Sequence, residues 1–289
     1  MSAIYKRELR AYFSSPLGYI VVAFLMCVVG LFFSSYNLMN QYPWFGVGLY
    51  NTTFVLMIIV PVITMRIMAE ERKQKTDQLL YTAPVKIIDI VLGKYLSVVT
   101  VFAIPMLIFC LYPLLLLSFG KTAESMAMDY VAIAGYFMLG AACIAVGFFI
   151  STVTESQVLA AVLTFALLLL SNYSTALGSM IPATSTASLI GLTVGIIILA
   201  LVIYFMTKNA FVTILSGLLL EAAMMLVFLF DSTLMEGLVN RVIGVLDMTS
   251  RMANMVYGEL DITVVAYYIS VIVLFIFLSV QSIYKRRWS

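Results

Sequence analysis

The side chains that most often carry catalysis are scarce in this sequence. The 289 residues include no histidine, and the three cysteines, Cys27, Cys110 and Cys143, each sit in an apolar run far from the others. A Cys/His metal site and a Cys–His nucleophile are therefore excluded, and a disulfide framework is not expected. No GxxxxGK[ST] occurs, since Gly93-Lys94 lacks the upstream glycine loop and stands at the entry to an apolar run. The expectation is no catalytic residue, no metal site and no cofactor held by this chain. Two features remain that could do chemistry. Glu221 is a lone carboxylate in the middle of an apolar run, where an ionised side chain is costly unless paired. It reads either as a contact for a substrate or proton, and so part of a substrate route, or as a protonated or hydrogen-bonded packing residue. The other feature is MAEERKQKTDQLLYTAPV, Met68 to Val85, where six of the eight positions from Glu70 to Asp77 are charged in a chain only 10% charged.

The elements that must position these residues are membrane spans. The chain is 63% hydrophobic with a mean hydropathy of +1.10, far above the roughly 45–50% apolar content of a soluble domain. A crossing needs about 20 apolar residues for about 30 Å of hydrocarbon. Eight runs qualify: Leu17–Tyr36, Leu49–Met65, Ile88–Phe119, Tyr130–Ile150, Gln157–Leu170, Leu189–Met206, Phe211–Phe230 and Ile262–Ile283. The third is too long for one straight crossing and contains Pro105 and Pro113, which predicts a kink. Thirteen Lys and Arg fall on one side of these spans (Lys6, Arg7, Arg10, Arg66, Arg72, Lys73, Lys75, Lys86, Lys94, Lys208, Lys285, Arg286 and Arg287) and three, Lys121, Arg241 and Arg251, on the other. By the positive-inside rule both termini and the charged loop are cytoplasmic. The net charge of +2 with basic residues in short clusters does not suit nucleic acid. No polar segment is long enough to fold around its own core, so residues 1–289 read as one transmembrane domain of about eight helices.

Residues 2–14 add an amphipathic helix. At 100° per residue Ile4, Tyr5, Leu9, Tyr12 and Phe13 share one half and Lys6, Arg7, Arg10 and Ser14 the other, with only Glu8 intruding on the apolar face. That pattern suits a helix lying in the headgroup layer, or a plain basic flank to the first span, and nothing marks it for cleavage. The external segment 231–261 carries a weaker pattern of the same kind through Leu238, Val242, Leu246 and Met252.

Within the charged loop, 66–86, Glu71 and Lys75 stand four apart with the acid first, which extends the second span's helix past the membrane. Thr76 is a good N-cap and Asp77 favours a helix start, so a second short helix is expected through Gln78, Leu79, Leu80 and Tyr81, ending before Pro84. Leu79–Tyr81 either dip back into the interface or are presented outside it. Between the fourth and fifth spans, Thr154 and Gln157 match the S/T-x-x-E/Q capping box of a tight cytoplasmic turn.

The run MRIMAEERKQKTDQLLYTAPVKIIDIVLGKYL resembles the first cytoplasmic loop of ABC exporter permeases of the second type, in particular their gliding-motility-like branch. Glu70, Glu71, Thr76, Leu79, Leu80, Ala83, Pro84, Leu92, Gly93 and Lys94 match that loop. Lys75 stands where Gly is usual and Gln78 where Glu is usual. The Thr154-x-x-Gln157 turn is similar to the family's, and Gly258, Asp261, Arg287 and Trp288 resemble its entry to the last span and its C-terminal end. The resemblance implies that the first loop is a coupling helix gripped by a separate cytoplasmic ABC ATPase subunit, which binds ATP and Mg. Leu79, Leu80 and Tyr81 would be its anchors, Glu70, Glu71, Arg72 and Asp77 its polar rim, and Thr154 and Gln157 a second contact. It also implies a second permease, as homodimer or heterodimer, a multi-pass place in a bacterial plasma membrane, and export of a substrate the residues do not name. Spans without a polar stripe suit an amphipathic or lipid-like cargo. A membrane-embedded regulatory or assembly protein that binds an ATPase without transporting anything is the alternative.

Overall fold

The computed structural model describes residues 1–75, 85–118, 123–207, 209–230 and 232–287, and among them there is helix and no strand. The expectation of an all-α membrane protein holds. The helices are α1 (Ser2–Ser14), α2 (Pro16–Phe33), α3 (Phe45–Asn51), α4 (Leu56–Thr64), α5 (Ala69–Lys73), α6 (Ile87–Phe109), α7 (Leu111–Leu117), α8 (Ala123–Val153), α9 (Gln157–Ser179), α10 (Ser185–Thr207), α11 (Ala210–Phe230), α12 (Leu238–Val245), α13 (Ala253–Val256) and α14 (Ile262–Arg287). Six stretches of the described residues are long and apolar enough to cross a membrane: Pro16–Met39, Phe45–Lys73, Ile87–Leu117, Met126–Val153, Gln157–Ser179 and Ile262–Lys285. The other two expected spans fall on α10 and α11, whose described apolar stretches, Ser185–Ile198 and Thr213–Leu226, are shorter.

Several spans are jointed, and the joints have local causes. Pro113 has no N–H to offer the Phe109 carbonyl, and α6 ends at Phe109 before the chain resumes as α7. The second span is assembled from α3, a 3₁₀ turn at Thr53–Val55, α4 with Pro61 inside it, and α5. At the start of this span the N–H of Gly46 donates to the buried Asp129 carboxylate of α8 at 3.1 Å, which offsets the positive end of α3.

The chain divides into two compact units, Met1–Leu170 with Met248–Ser289, and Ser171–Asp247. In the first, α8 is central, and α3, α4, α6, α13 and α14 pack on it. Close approach is possible because α8 carries glycine at the crossings: a Cβ on Gly140 would collide with the Phe102 ring, and one on Gly147 with Thr64. Tyr112 fills the space beside α7, stacked on Phe33 at 4.5 Å between ring centroids and edge-on to Phe45 at 5.3 Å. Entry to α14 needs Gly258, whose φ of 84° lies in the left-handed region, and Asp261, whose Oδ1 accepts from the Thr263 N–H at 2.8 Å and caps the helix.

In the second unit α10 and α11 form an antiparallel hairpin, and α12 packs on α10 with Val239 over Gly191. The Thr175 hydroxyl bonds the Asp247 carboxylate, and the Asn240 side-chain amide donates to the Ile181 carbonyl at 3.3 Å.

Candidate functional site

Six charged residues of the first unit, Arg7, Glu8, Arg66, Glu70, Glu71 and Lys94, are joined by ion pairs where α1, the end of the second span and the start of α6 meet, beside the end of α8. Lys94 is the centre. Its side chain is completely buried, about two turns inside the third span, and a buried ammonium is tolerated only when its donors are met. It has three, and three acceptors surround it: Glu8 Oε1 at 3.0 Å, Glu71 Oε1 at 2.9 Å and the Ile67 carbonyl at 3.2 Å. Arg7 closes the cluster from the solvent side, with Nη2 at 2.6 Å from Glu8 Oε1 and 2.9 Å from Glu71 Oε1. Burial alone would push the Glu8 carboxyl up. The Lys94 charge and the hydrogen bonds from Arg7 and Lys94 outweigh it and hold Glu8 below its ordinary value. The Arg7 guanidinium is raised, first by its hydrogen bond to Glu8.

This cluster explains the one residue that broke the amphipathic pattern of α1. Glu8 faces the apolar side because its partner lies there, below the surface of α6. Much of that face meets protein: the Tyr12 hydroxyl donates to the Ile63 carbonyl at 2.7 Å, Tyr5 bonds Thr100 at 3.1 Å, and Ile4 lies over Gly93. Lys6 and Arg10 stay exposed.

A second set of bonds fixes α5 to the end of α8. The chain turns at 65–68, which orphans the N–H groups that open α5, and Ser151 Oγ of α8 accepts from both Met68 and Ala69 at 3.2 Å. Arg72, only 8% exposed, donates to the Thr154 carbonyl at 3.1 Å. Glu70 pairs with Arg66 one turn back at 2.7 Å. Of the residues expected to meet an ATPase, the structure thus brings Glu70, Glu71 and Arg72 together with Thr154 and Gln157, and a cavity of about 330 Å³ lies between Lys73 and the turn Glu155–Val158. Thr76, Asp77, Gln78, Leu79, Leu80 and Tyr81 lie outside the described residues.

Three local expectations are corrected. The capping residue of α9 is Ser156, whose Oγ accepts from the Leu159 N–H at 3.4 Å, while Thr154 turns back to the Ile150 carbonyl at 2.9 Å and ends α8. The capping-box spacing is present, but Thr154 belongs to the preceding helix. Glu71 is aimed at Lys94 and Arg7, across the fold. Lys75 has left the helix and sits at φ 57°, directly after the last turn of α5. That is the left-handed position where glycine commonly ends a helix, and it gives a physical reason for the glycine usual there in similar loops.

Glu221 is in the second unit, half-buried on α11, where the Thr193 hydroxyl of α10 lies 3.0 Å from its Oε1. Arg7, Glu8, Lys94, Ser151 and Arg66 were not marked as site residues by sequence reasoning. Glu8 carries a signal as the intruder on an apolar face, and Lys94 one as part of the loop's resemblance.

A family model described as ABC-2 family transporter protein matches residues 33–234, well over half of the chain. The chain belongs to that family. It is an ABC-2 permease, a multi-pass membrane subunit of an ABC transporter. No curated protein and no solved structure matches it. The matched region begins at the end of α2 and includes the charged loop, Lys94 and the α10–α11 hairpin, while Glu8 and Arg7 lie before it.

Proposed function

We propose that this ABC-2 permease exports an amphipathic or lipid-like substrate across a bacterial plasma membrane, driven by a separate cytoplasmic ATPase subunit that grips the loop at 66–86. The observation that carries this reading is the convergence of two segments far apart in sequence. Glu70–Lys73 and Thr154–Gln157 meet at one end of the first unit, held by Arg72 and Ser151, and that end also carries Arg7, Arg66 and Lys94. A partner pressing on the loop would push a surface backed by the α4–α5 segment, α6 and α8 together.

In this reading both termini are cytoplasmic, ATP and Mg are bound by the partner, and two permeases, identical or different, flank the route. The first loop acts as the coupling helix, with Leu79, Leu80 and Tyr81 as anchors, Asp77 and Gln78 beside them and Thr76 as its cap. Membership of the gliding-motility-like branch rests on the loop's resemblance. The Thr193 contact favours a packing role for Glu221 over contact with substrate.

The test is co-purification of the permease with an ATPase encoded beside it, with ATPase activity measured in nanodiscs. The L80D and E71K variants are expected to lose the complex or its stimulated activity. L80D removes none of the cluster's charges and should leave the unfolding midpoint of the permease unchanged. An intact, fully active complex in both variants would show the coupling assignment to be wrong. A complex that forms yet moves no lipid-like cargo would favour the regulatory or assembly role.

A further inference from the structure

Beside the ion cluster lies a cavity of about 390 Å³ lined by Arg7, Tyr12, Ser15, Arg66, Glu70 and Glu71, among others. It is walled by α1 on one side and by the end of the second span on the other. We propose that it holds the phosphate of a glycerophospholipid headgroup.

The hydrogen-bond inventory points to an anion. Arg7 uses Nε and Nη2 on Glu8 and Glu71, and Arg66 uses Nε and Nη2 on Glu70. Among the described residues neither Nη1 group carries a bond, so two guanidinium ends with paired N–H donors remain at one cavity, the arrangement that suits a tetrahedral oxyanion. The net charge permits it. The lining holds Arg7 and Arg66 against Glu8, Glu70 and Glu71, and Lys94, buried behind the wall at 3.0 Å from Glu8 Oε1 and 2.9 Å from Glu71 Oε1, brings the cluster as a whole to neutrality. The Ser15 hydroxyl and the Gln74 amide also belong to the lining and can bond headgroup oxygens.

Depth points to a lipid as the source. Arg66 follows the apolar run Leu56–Met65 directly, where the hydrocarbon layer gives way to headgroups, and α1 runs along the same level with Lys6 and Arg10 exposed. A volume of 390 Å³ is at the small end of ligand pockets, about 300–1,000 Å³, and suits a headgroup with its acyl chains left outside. A phosphate there would bridge α1 to the end of the second span, next to the bonds that Lys94 already makes between them.

The test uses the full chain, delipidated in detergent and titrated with dioleoyl phosphatidylglycerol, with bound lipid counted by native mass spectrometry. The R7K/R66K variant retains the positive charges beside Glu8, Glu70 and Glu71 but lacks the second amine of each guanidinium. It is expected to bind the lipid about tenfold more weakly while still unfolding in one cooperative transition. Should the double variant fail to fold, R66K alone is read, with a several-fold loss expected. Dioleoylglycerol, which lacks the phosphate, should not compete, and neither should millimolar inorganic phosphate. Undiminished lipid binding in the variants, or competition by dioleoylglycerol, would overturn the phosphate site. Displacement by inorganic phosphate would overturn the lipid as its source.

Discussion

Lys94 and Glu221 are both ionisable residues set inside apolar helices, and they are treated in opposite ways. Lys94 is fully buried and its three donors reach three acceptors on two other segments, one of them 86 residues away in sequence. Glu221 is half-buried and meets one hydroxyl on the neighbouring helix of its own hairpin. The first ties together elements that no local rule would join. The second satisfies one side chain between two helices that are adjacent in the chain anyway. A charge in a span is therefore more informative when its partners lie on separate elements, because removing it releases those elements from one another.

The largest effect that could break this contrast is expected for K94M. It leaves Glu8 and Glu71 facing each other with only Arg7 between them and solvent, and should cost about 3 kcal/mol, read as a lowered unfolding midpoint in detergent. A loss no larger than that of E221Q would erase the distinction. Acid should produce a partial version of the same change. Glu8 has a lower pKa folded than its ordinary 4.5, so its contribution is complete above that value and disappears as pH falls through the lower folded value. Proteolysis within α1 should therefore rise only below about pH 4.5, and in an E8Q variant this acid step should vanish.

The E221Q variant sharpens the other side of the comparison. A glutamine carbonyl can still accept from Thr193, and interhelical hydrogen bonds in membranes average about 0.6 kcal/mol, so stability should change by no more than that. Transport by the complex should persist, and its loss in a folded E221Q protein would return Glu221 to the substrate route. The smallest effect has the opposite sign. Placing glycine at the left-handed position of Lys75, K75G, should stabilise the protein by about 0.5 kcal/mol, measured in the same unfolding assay.

What could be read from the sequence followed from composition and periodicity. The helical class, most of the spans and the joint near Pro113 all depend on properties of a single segment. The helical wheel of residues 4–14 even isolated Glu8, but nothing in it could name Lys94 as the partner, since that pairing exists only once α1 lies on α6. By sequence Lys94 is a positive charge near a span end and a match to the similar loops, and neither property says that its side chain turns inward. Thr154 shows the converse error, in which a correct local motif is overruled by context. Its hydroxyl turns back to the Ile150 carbonyl of α8, its own carbonyl is taken by Arg72, and Ser156 caps α9 instead. Lys75 was visible as a departure from the similar loops, and its positive φ supplies the reason that glycine is usual there.

Through Glu8 and Glu71, Lys94 joins α1 and α5 to the third span. Hydrogen exchange of the full chain in nanodiscs, comparing wild type, K94M and E221Q, measures this. The expected result is loss of amide protection in both Ser2–Ser14 and Ala69–Lys73 in K94M, with E221Q unchanged in these segments. Protection retained in either helix of K94M would contradict it.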